Sequence, residues 1–366
     1  MDTLYRVSEY LFGPAIPHRE PCGRSAQIMS DLHLELNRQY ATFDFPVKAP
    51  FLILGGDIGR LVDYDMFLPF LARQTARFEK VFLVLGNHEF YEMSFEDGIE
   101  KARELEKEEV LEGKLVILDR NRWDDPDSKL TIIGATLWSN IHSSAADTIA
   151  LRVSDYKLIK NWTVAKHNEC HARDLAYLTE TISELNNLPE ESQRNVLVVT
   201  HHAPCVKGSS KPEHANAPYK TAFSTDVIQA REFMHGVQVW MFGHTHYTTE
   251  FKKGGVKVVA NQRGYVLGYK GPPLENTKGF DDERVVELCH WVSALEELGV
   301  VKSMPWAMFE YKDDESTKRL NLLKLTVLIP DVIYQWCPHC LIFLHIVSPA
   351  RFPQPKSSMS IVIIRN

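Results

Sequence analysis

Short apolar runs rich in Val, Ile and Leu recur along this chain, and they constrain its fold more than any other feature. The runs are continuous rather than alternating with polar residues, which is typical of strands buried on both faces. Between them, apolar residues at three- and four-residue spacing predict helices over Met66–Phe78 and Asn168–Leu188. The predicted strands are Phe51–Leu54, Val81–Leu85, Leu115–Leu118, Leu130–Trp138, Val196–Thr200, Val237–Phe242 and Val256–Ala260, with a weaker one around Ile28. Strands that alternate with helices predict an α/β layered domain.

The chain changes character after about Leu288. Residues 322–347 are apolar but are interrupted by Lys324, Pro330 and Asp331, whereas a transmembrane helix needs roughly 20 uninterrupted apolar residues. Association of this tail with a membrane is therefore the less favoured interpretation. We predict an N-terminal extension over residues 1–25, one catalytic domain over 26–290, and a C-terminal appendage over 291–366 that is poorly ordered or loosely docked.

Charge and cysteine content narrow the class of protein. A formal net charge of −7 argues against a nucleic-acid binder that relies on a strongly basic surface. Six cysteines in 366 residues are too few for a disulfide framework. The first 25 residues contain no apolar core of signal-peptide length. Together these features predict a cytoplasmic protein.

Polar side chains follow five of the predicted strands, at the point where each strand ends. Because ligands of open α/β sheets bind beyond the carboxyl ends of the strands, we expect these side chains to share one rim. They are Asp31 and His33, then Asp57, then Asn87, His88 and Glu89, then His201 and His202, and finally His244 and His246. Imidazole, carboxylate and amide groups without cysteine suit divalent cations of intermediate hardness. The pattern therefore predicts a metal site.

The order of these motifs, Asp-x-His, Gly-Asp, Gly-Asn-His-Glu, a strand-end His and Gly-His-x-His, resembles that of the calcineurin-like metallophosphoesterases from about residue 28 to residue 288. The resemblance implies a four-layer α/β/β/α sandwich, in which helices flank two mixed sheets and a dinuclear metal centre lies at the strand ends. One metal is then expected on Asp31, His33, Asp57 and His246. The second is expected on Asp57, Asn87, His201 and His244, with Asp57 bridging. Both cations are divalent, and Mn, Fe, Zn and Mg all suit the ligands.

The resemblance also implies the reaction. A hydroxide that bridges two metals attacks the phosphorus of a phosphomonoester or phosphodiester, and a small-molecule substrate is favoured over a phosphoprotein. His88 is expected beside the phosphate, either as the general acid or as an electrostatic partner for the leaving oxygen. Glu89 is expected to orient the ring of His88, as a neighbouring carboxylate often does.

Two departures from the family's protein serine/threonine phosphatases disfavour phosphoprotein hydrolysis. Those enzymes carry an Arg where this chain has Leu85, and an Asp-Arg-Gly stretch where Ile58, Gly59 and Arg60 follow Asp57. The closer likeness is to the broad branch with Ser-Asp-Leu-His-Leu-Glu and Leu-Gly-Asn-His-Glu-Phe-Tyr. A third possibility is a non-catalytic scaffold that keeps the fold for partner binding, but such a protein is expected to have lost ligands.

The remaining histidines and one cysteine motif have competing interpretations. Adjacent strand residues face opposite sides, so we expect only one of His201 and His202 to be a ligand. The His-x-Pro and His-x-x-Pro patterns of the family that this chain resembles point to His201, and His202 is the alternative. His167 and His171 lie four apart on a predicted helix and are interpreted as helix-surface residues rather than a zinc pair. His214 lies in the long loop 206–225, either at a substrate entrance or on a surface excursion. The Cys-Pro-His-Cys motif at 337–340 is interpreted as incidental, because structural zinc needs four ligands.

Overall fold

A computed structural model describes residues 24–214, 217–228, 234, 236–266 and 279–288, and the backbone of four strands further along the chain. The chain divides into two compact units, residues 1–290 and 291–366. The predicted extension over residues 1–25 lies outside the described residues except for its last two, and the motif at 337–340 lies wholly outside them.

The first sheet of the larger unit has five strands in the order β11–β1–β2–β3–β4. Its strands are β1 Ser25–Met29, β2 Phe51–Leu54, β3 Lys80–Leu83, β4 Leu115–Ile117 and β11 Val285–Glu287. Strands β1 to β4 are parallel, and β11 runs antiparallel to β1 at the edge. The carboxyl ends of three parallel strands, β1, β2 and β3, therefore meet at one edge of this sheet.

The second sheet has six strands in the order β5–β6–β7–β8–β10–β9. They are β5 Asn121–Asp124, β6 Leu130–Ala135, β7 Asn195–Thr200, β8 Val237–Met241, β9 Thr249–Lys253 and β10 Val256–Ala260. Its four central strands are parallel, and the two edge strands are antiparallel to their neighbours. Both sheets are thus mixed.

Alternate residues of each strand explain the layers. On β2, Phe51 and Ile53 pack against the second sheet, whereas Leu52 and Leu54 pack under helices. The helices are α1 Tyr64–Thr75, α2 Phe95–Glu106, α3 Ala146–Arg152, α4 Asp155–Leu158 and α5 Val164–Asn186. Helices α1 and α2 cover the outer face of the first sheet, and α5 covers that of the second. The predicted α/β fold, with two mixed sheets flanked by helices, is confirmed.

The second unit contains an antiparallel four-stranded sheet in the order β12–β13–β15–β14. Its strands are β12 Met308–Tyr311, β13 Leu322–Leu328, β14 Leu341–His345 and β15 Ser358–Ile364. That this appendage is loosely docked or poorly ordered stays a prediction. Among the residues that the structure describes, no helix combines the length and apolarity that crossing a membrane requires.

Candidate metal centre

The strand ends of both sheets bring the seven predicted ligands together. These residues are Asp31, His33, Asp57, Asn87, His201, His244 and His246. The ligand atoms of Asp31, His33 and His246 all lie within 4.8 Å of one another. The closest pair is His33 Nε2 and His246 Nε2, 2.9 Å apart. Residues more than 200 positions apart in the chain thus form one half of the cluster.

Asp57 lies between the two halves of the cluster. Its Oδ2 atom is 3.9 Å from His33 Nε2 on one side and 3.4 Å from His201 Nε2 on the other. His201 and His244 complete the second half with it, again with all ligand atoms within 4.8 Å. Asn87 Oδ1 lies 3.1 Å from His201 Nε2. Asp57 thus lies where the family resemblance requires a bridging carboxylate.

Backbone strain is concentrated at these positions. Five of the seven residues have φ in the left-handed region, with values of 53° at Asp31, 48° at His33, 53° at Asp57, 71° at His244 and 48° at His246. Such conformations are costly for residues other than glycine and cluster at functional sites, where surrounding structure enforces them. They occur where the strands have just ended, and the side chains of these same residues face the cluster.

One glycine is required by close approach. A Cβ atom at Gly86 would overlap the Asp57 carboxylate and backbone and would come within 2.8 Å of His201 Cε1. The Gly before Asn87 in the sequence motif therefore makes room for the predicted bridging ligand, in addition to easing the turn.

Two imidazoles show that the site fits a cation. His201 Nδ1 lies 2.9 Å from the Gly55 carbonyl oxygen, which can only accept, so Nδ1 carries a proton and Nε2 is the ring nitrogen that faces Asp57. His244 Nε2 is buried and has no hydrogen-bond partner in the described part of the chain. A buried nitrogen without a partner is costly, and a bound cation would satisfy it. The residues present therefore fit divalent metal ions.

The carboxylates support the same conclusion. Burial raises the pKa of Asp31 to about 6, although the nearby imidazole of His201 opposes the shift. Burial acts on Asp57 in the same direction, but the charges of His201 and His88 outweigh it and leave the pKa of Asp57 well below its usual range. A buried carboxylate that carries this desolvation cost gains from a cation close by.

Glu89 does not orient His88, and the prediction of that role was wrong. Its buried carboxylate accepts hydrogen bonds from the backbone N–H groups of Asp57 at 2.9 Å, Ile58 at 2.8 Å and Gly86 at 2.6 Å. It accepts a longer one from Gly59 at 3.3 Å. Glu89 therefore holds the two loops that carry Asp57 and Asn87, because their N–H donors converge on it.

Glu35 contacts His88 instead, and sequence reasoning missed it. Its Oε1 atom lies 2.9 Å from His88 Nδ1 and 3.2 Å from His33 Nδ1. Burial would raise the pKa of Glu35, but hydrogen bonds from both rings hold it at about 2. The available signal was the sixth residue of the Ser-Asp-Leu-His-Leu-Glu motif, two positions after His33.

His88 lies at the boundary between the cluster and a cavity. Its Nε2 atom is 3.2 Å from the Tyr265 hydroxyl and 3.9 Å from Asp57 Oδ2. Burial lowers the pKa of His88, but the charge of Asp57 and the hydrogen bond to Glu35 outweigh it and raise the pKa to about 9.

Asp155, also missed in the sequence, accepts a hydrogen bond from the Asn87 amide nitrogen at 2.8 Å and so turns the amide oxygen toward His201.

The other histidines are placed as follows. His201 faces Asp57, whereas the buried ring of His202 packs 5.3 Å from that of Trp138 and 4.0 Å from that of His244. His167 and His171 are buried, so their placement on a helix surface was wrong. The first turns of α5 pack under the segment that follows β6. There His167 accepts from the Ser139 N–H at 3.1 Å, and His171 Nδ1 meets the Leu137 carbonyl oxygen at 2.9 Å.

A cavity of about 440 Å³ opens from the cluster. Asp57, Asn87, His88, His244 and His246 line its inner end. Residues from segments 152–155, 206–214 and 217–224 complete the lining, together with Tyr91, Thr245 and Tyr265. His214 is among them, which favours its interpretation as part of a substrate entrance. Arg60 is not part of the lining, because it pairs with Asp63 at 2.9 Å and with Glu92.

Comparisons with known proteins agree with this arrangement. A family model described as calcineurin-like phosphoesterase matches residues 28–248. An uncharacterized protein of Acanthamoeba polyphaga mimivirus is 30% identical over 260 residues, which cover 66% of this chain and 91% of the viral protein. This chain therefore belongs to the calcineurin-like phosphoesterase family, and the family predicted from the strand-end motifs is confirmed.

Similarity to solved structures is weaker. The phosphopantetheinyl hydrolase of Mycobacterium tuberculosis matches with a TM-score of 0.48 and 17% identity, covering 67% of this chain and 91% of that one. The family assignment rests on the family model and the viral relative.

Proposed function

We propose that this chain is a metal-dependent phosphoesterase that hydrolyses a phosphomonoester or phosphodiester bond of a small-molecule substrate. Two divalent cations would be held by the seven clustered residues, with Asp57 between them, and His88 would protonate the leaving oxygen. The observation that carries the proposal is the convergence of seven nitrogen- and oxygen-bearing side chains from five strand ends. Four of them, Asp57, Asn87, His244 and His246, line the inner end of one cavity. The Nε2 atom of buried His244, which has no hydrogen-bond partner among the residues that the structure describes, supports it.

The cations, when bound, would supply an activated water nucleophile and offset the charge of the phosphoryl oxygens. The chain's own residues position the other participants. The ionised carboxylate of Glu35 can only accept, so the Nδ1 atom of His88 carries a proton and donates it in that hydrogen bond. This leaves Nε2 as the ring nitrogen beside Asp57 and the cavity, from which a second proton can pass to the leaving oxygen.

Two alternatives are less well supported. Protein phosphatase activity would need arginines at the phosphate, yet Leu85 is buried and Arg60 is paired with Asp63 and Glu92. A non-catalytic scaffold would not need the full donor set together with an imidazole beside it.

Replacement of Asp57 tests the proposal most directly. We expect Asp57→Asn to lower kcat/KM for p-nitrophenyl phosphate and bis-p-nitrophenyl phosphate by more than about 100-fold, because even residues that only support a metal ligand cost 10–100-fold. Assays would be run with Mn²⁺ and separately with Zn²⁺ and Mg²⁺. The matched control is Asp65→Asn, since Asp65 is exposed on α1, away from the site.

Circular dichroism would confirm that both variants are folded. Undiminished turnover by folded Asp57→Asn would reject the proposed mechanism. Bound metal in the wild-type protein without turnover of any phosphoester would support the scaffold, and faster turnover of phosphopeptides than of small esters would support a protein phosphatase.

A further inference from the structure

Charge is segregated along the wall of the cavity. Of the described residues that line it, the carboxylates are Asp57 and Asp155, both at the metal-centre end. The cationic residues of the lining are Arg152, at the end of α3, and Lys211 and Lys220, from segments 206–214 and 217–224. The outer part of the cavity is therefore positively charged, separately from any cation bound at the inner end.

Arg152 and Lys211 lack a counter-charge. Neither side chain makes an ion pair or a hydrogen bond with any residue that the structure describes. Two arginines elsewhere in the domain are paired, by contrast: Arg120 Nη1 lies 2.8 Å from Asp174 Oδ1, and Arg24 Nε lies 2.7 Å from Asp125 Oδ2. Unneutralised cations in a concave wall attract anions. We therefore expect Arg152 and Lys211 to bind an anionic group of a ligand.

Arg152 is held close to the metal centre. It lies three residues before Asp155, whose carboxylate is 2.8 Å from the Asn87 amide nitrogen. Three Cα–Cα steps place the two Cα atoms at most about 11 Å apart. Packing fixes the segment further, because Ile149 of α3 and Ala222 of the facing loop belong to one apolar cluster, with Tyr219 and Phe223 against it. Arg152 therefore lies near a residue that contacts the predicted ligand Asn87, and it lines the same cavity.

We propose that the substrate is a phosphoester whose leaving group carries a second phosphate, which Arg152 and Lys211 bind while the first phosphate meets the metal centre. This proposal rests on the proposed function. The planar fork of Arg152 suits two phosphate oxygens, and Lys211 adds a point charge. The cavity of about 440 Å³ holds a ligand of this size.

Matched substrate pairs test the proposal. Phosphate release would be measured in Mn²⁺ for fructose 6-phosphate against fructose 1,6-bisphosphate, and for adenosine 5′-monophosphate against adenosine 3′,5′-bisphosphate. We expect the wild-type protein to prefer the bisphosphate of at least one pair by about tenfold or more in kcat/KM. The double variant Arg152→Ala with Lys211→Ala should lose this preference, because its KM for the bisphosphate rises. Lys157→Ala is the control, because Lys157 is exposed and does not line the cavity.

Equal kcat/KM within every pair, or a preference that persists in the double variant, would overturn the substrate proposal while leaving the phosphoesterase proposal intact. Absence of turnover of all the pairs and of p-nitrophenyl phosphate would overturn the phosphoesterase proposal instead. In that case, or if only p-nitrophenyl phosphate is hydrolysed, Kd values measured by calorimetry on chelator-treated protein decide whether the second phosphate site exists. Bisphosphate binding that is tighter than monophosphate binding in the wild-type protein, but not in the double variant, supports the site. Equal Kd values refute it.

Discussion

Replacement of Glu89 by Gln separates the role that the sequence predicted for this residue from the one that the structure shows. The buried carboxylate accepts four backbone N–H groups: Oε2 accepts from Asp57 and Gly86, and Oε1 accepts from Ile58 and Gly59. Gln has nearly the same shape but only one acceptor oxygen. Its amide nitrogen would face two N–H groups that it cannot accept from, and both would be left unpaired in the interior.

The expected cost follows from that count. A buried donor without a partner costs about 1–3 kcal/mol, so two lost hydrogen bonds should destabilise the protein by about 2–6 kcal/mol. Total stabilities are only about 5–15 kcal/mol. In a unit of this size each kcal/mol lowers Tm by about 2–4 °C, so we expect a fall of at least about 4 °C. The phosphoesterase activity should fall with it, because the N–H of Asp57 loses its fixed partner.

The assay is thermal and urea unfolding followed by circular dichroism, with kcat for p-nitrophenyl phosphate measured below the unfolding transition. Glu100→Gln is the matched control, since Glu100 is exposed on α2, and its free energy of unfolding should stay within about 0.5 kcal/mol of wild type. A folded Glu89→Gln protein with wild-type stability would refute the reasoning. Wild-type stability combined with a large loss of kcat would show that Glu89 acts in catalysis rather than by holding the two loops.

Two further predictions concern the site itself. Glu35→Gln should lower kcat by about 10–100-fold with little change in far-ultraviolet circular dichroism. The reason is that the ionic hydrogen bond to His88 at 2.9 Å is lost while the side-chain shape is kept. A kcat within twofold of wild type would contradict this prediction. Adding Mn²⁺ to chelator-treated wild-type protein should raise Tm, because binding at 100 times Kd adds about 2.7 kcal/mol to the free energy of unfolding. Asp57→Asn should show a much smaller rise in Tm. Equal rises in the two proteins would place the bound metal elsewhere.

Local patterns in the sequence were sufficient for the fold class and for the candidate cluster. The continuous apolar runs predicted strands such as β2 and β7, because strands covered on both faces need no polar residues. Polar residues at the ends of those strands converge for the same topological reason, since parallel strands share one carboxyl edge. Alternation of side chains along a strand predicted that only one of His201 and His202 faces the cluster. The family's pattern pointed to His201, and the structure places His201 beside Asp57.

Errors arose where the outcome depended on which distant segment packs against a residue. A helical spacing does not say which face of α5 is covered, and the segment after β6 buries His167 and His171. Likewise, a carboxylate next to a histidine in sequence does not have to meet it in space. The 3₁₀ turn His88–Phe90 directs Glu89 toward backbone N–H groups, while Glu35 reaches His88 from 53 residues away.

The sequence by itself determined the family, the layered α/β architecture and the set of residues at the strand ends. Each of these can be predicted from the periodicity and spacing of residues that are close together in the chain. Tertiary structure alone decided which carboxylate supports which imidazole and how Asp155 orients Asn87. It also decided the assembly of one cavity from segments 152–155, 206–214 and 217–224. Those features depend on pairs of side chains far apart in the chain, and their contacts exist only after both sheets have packed together.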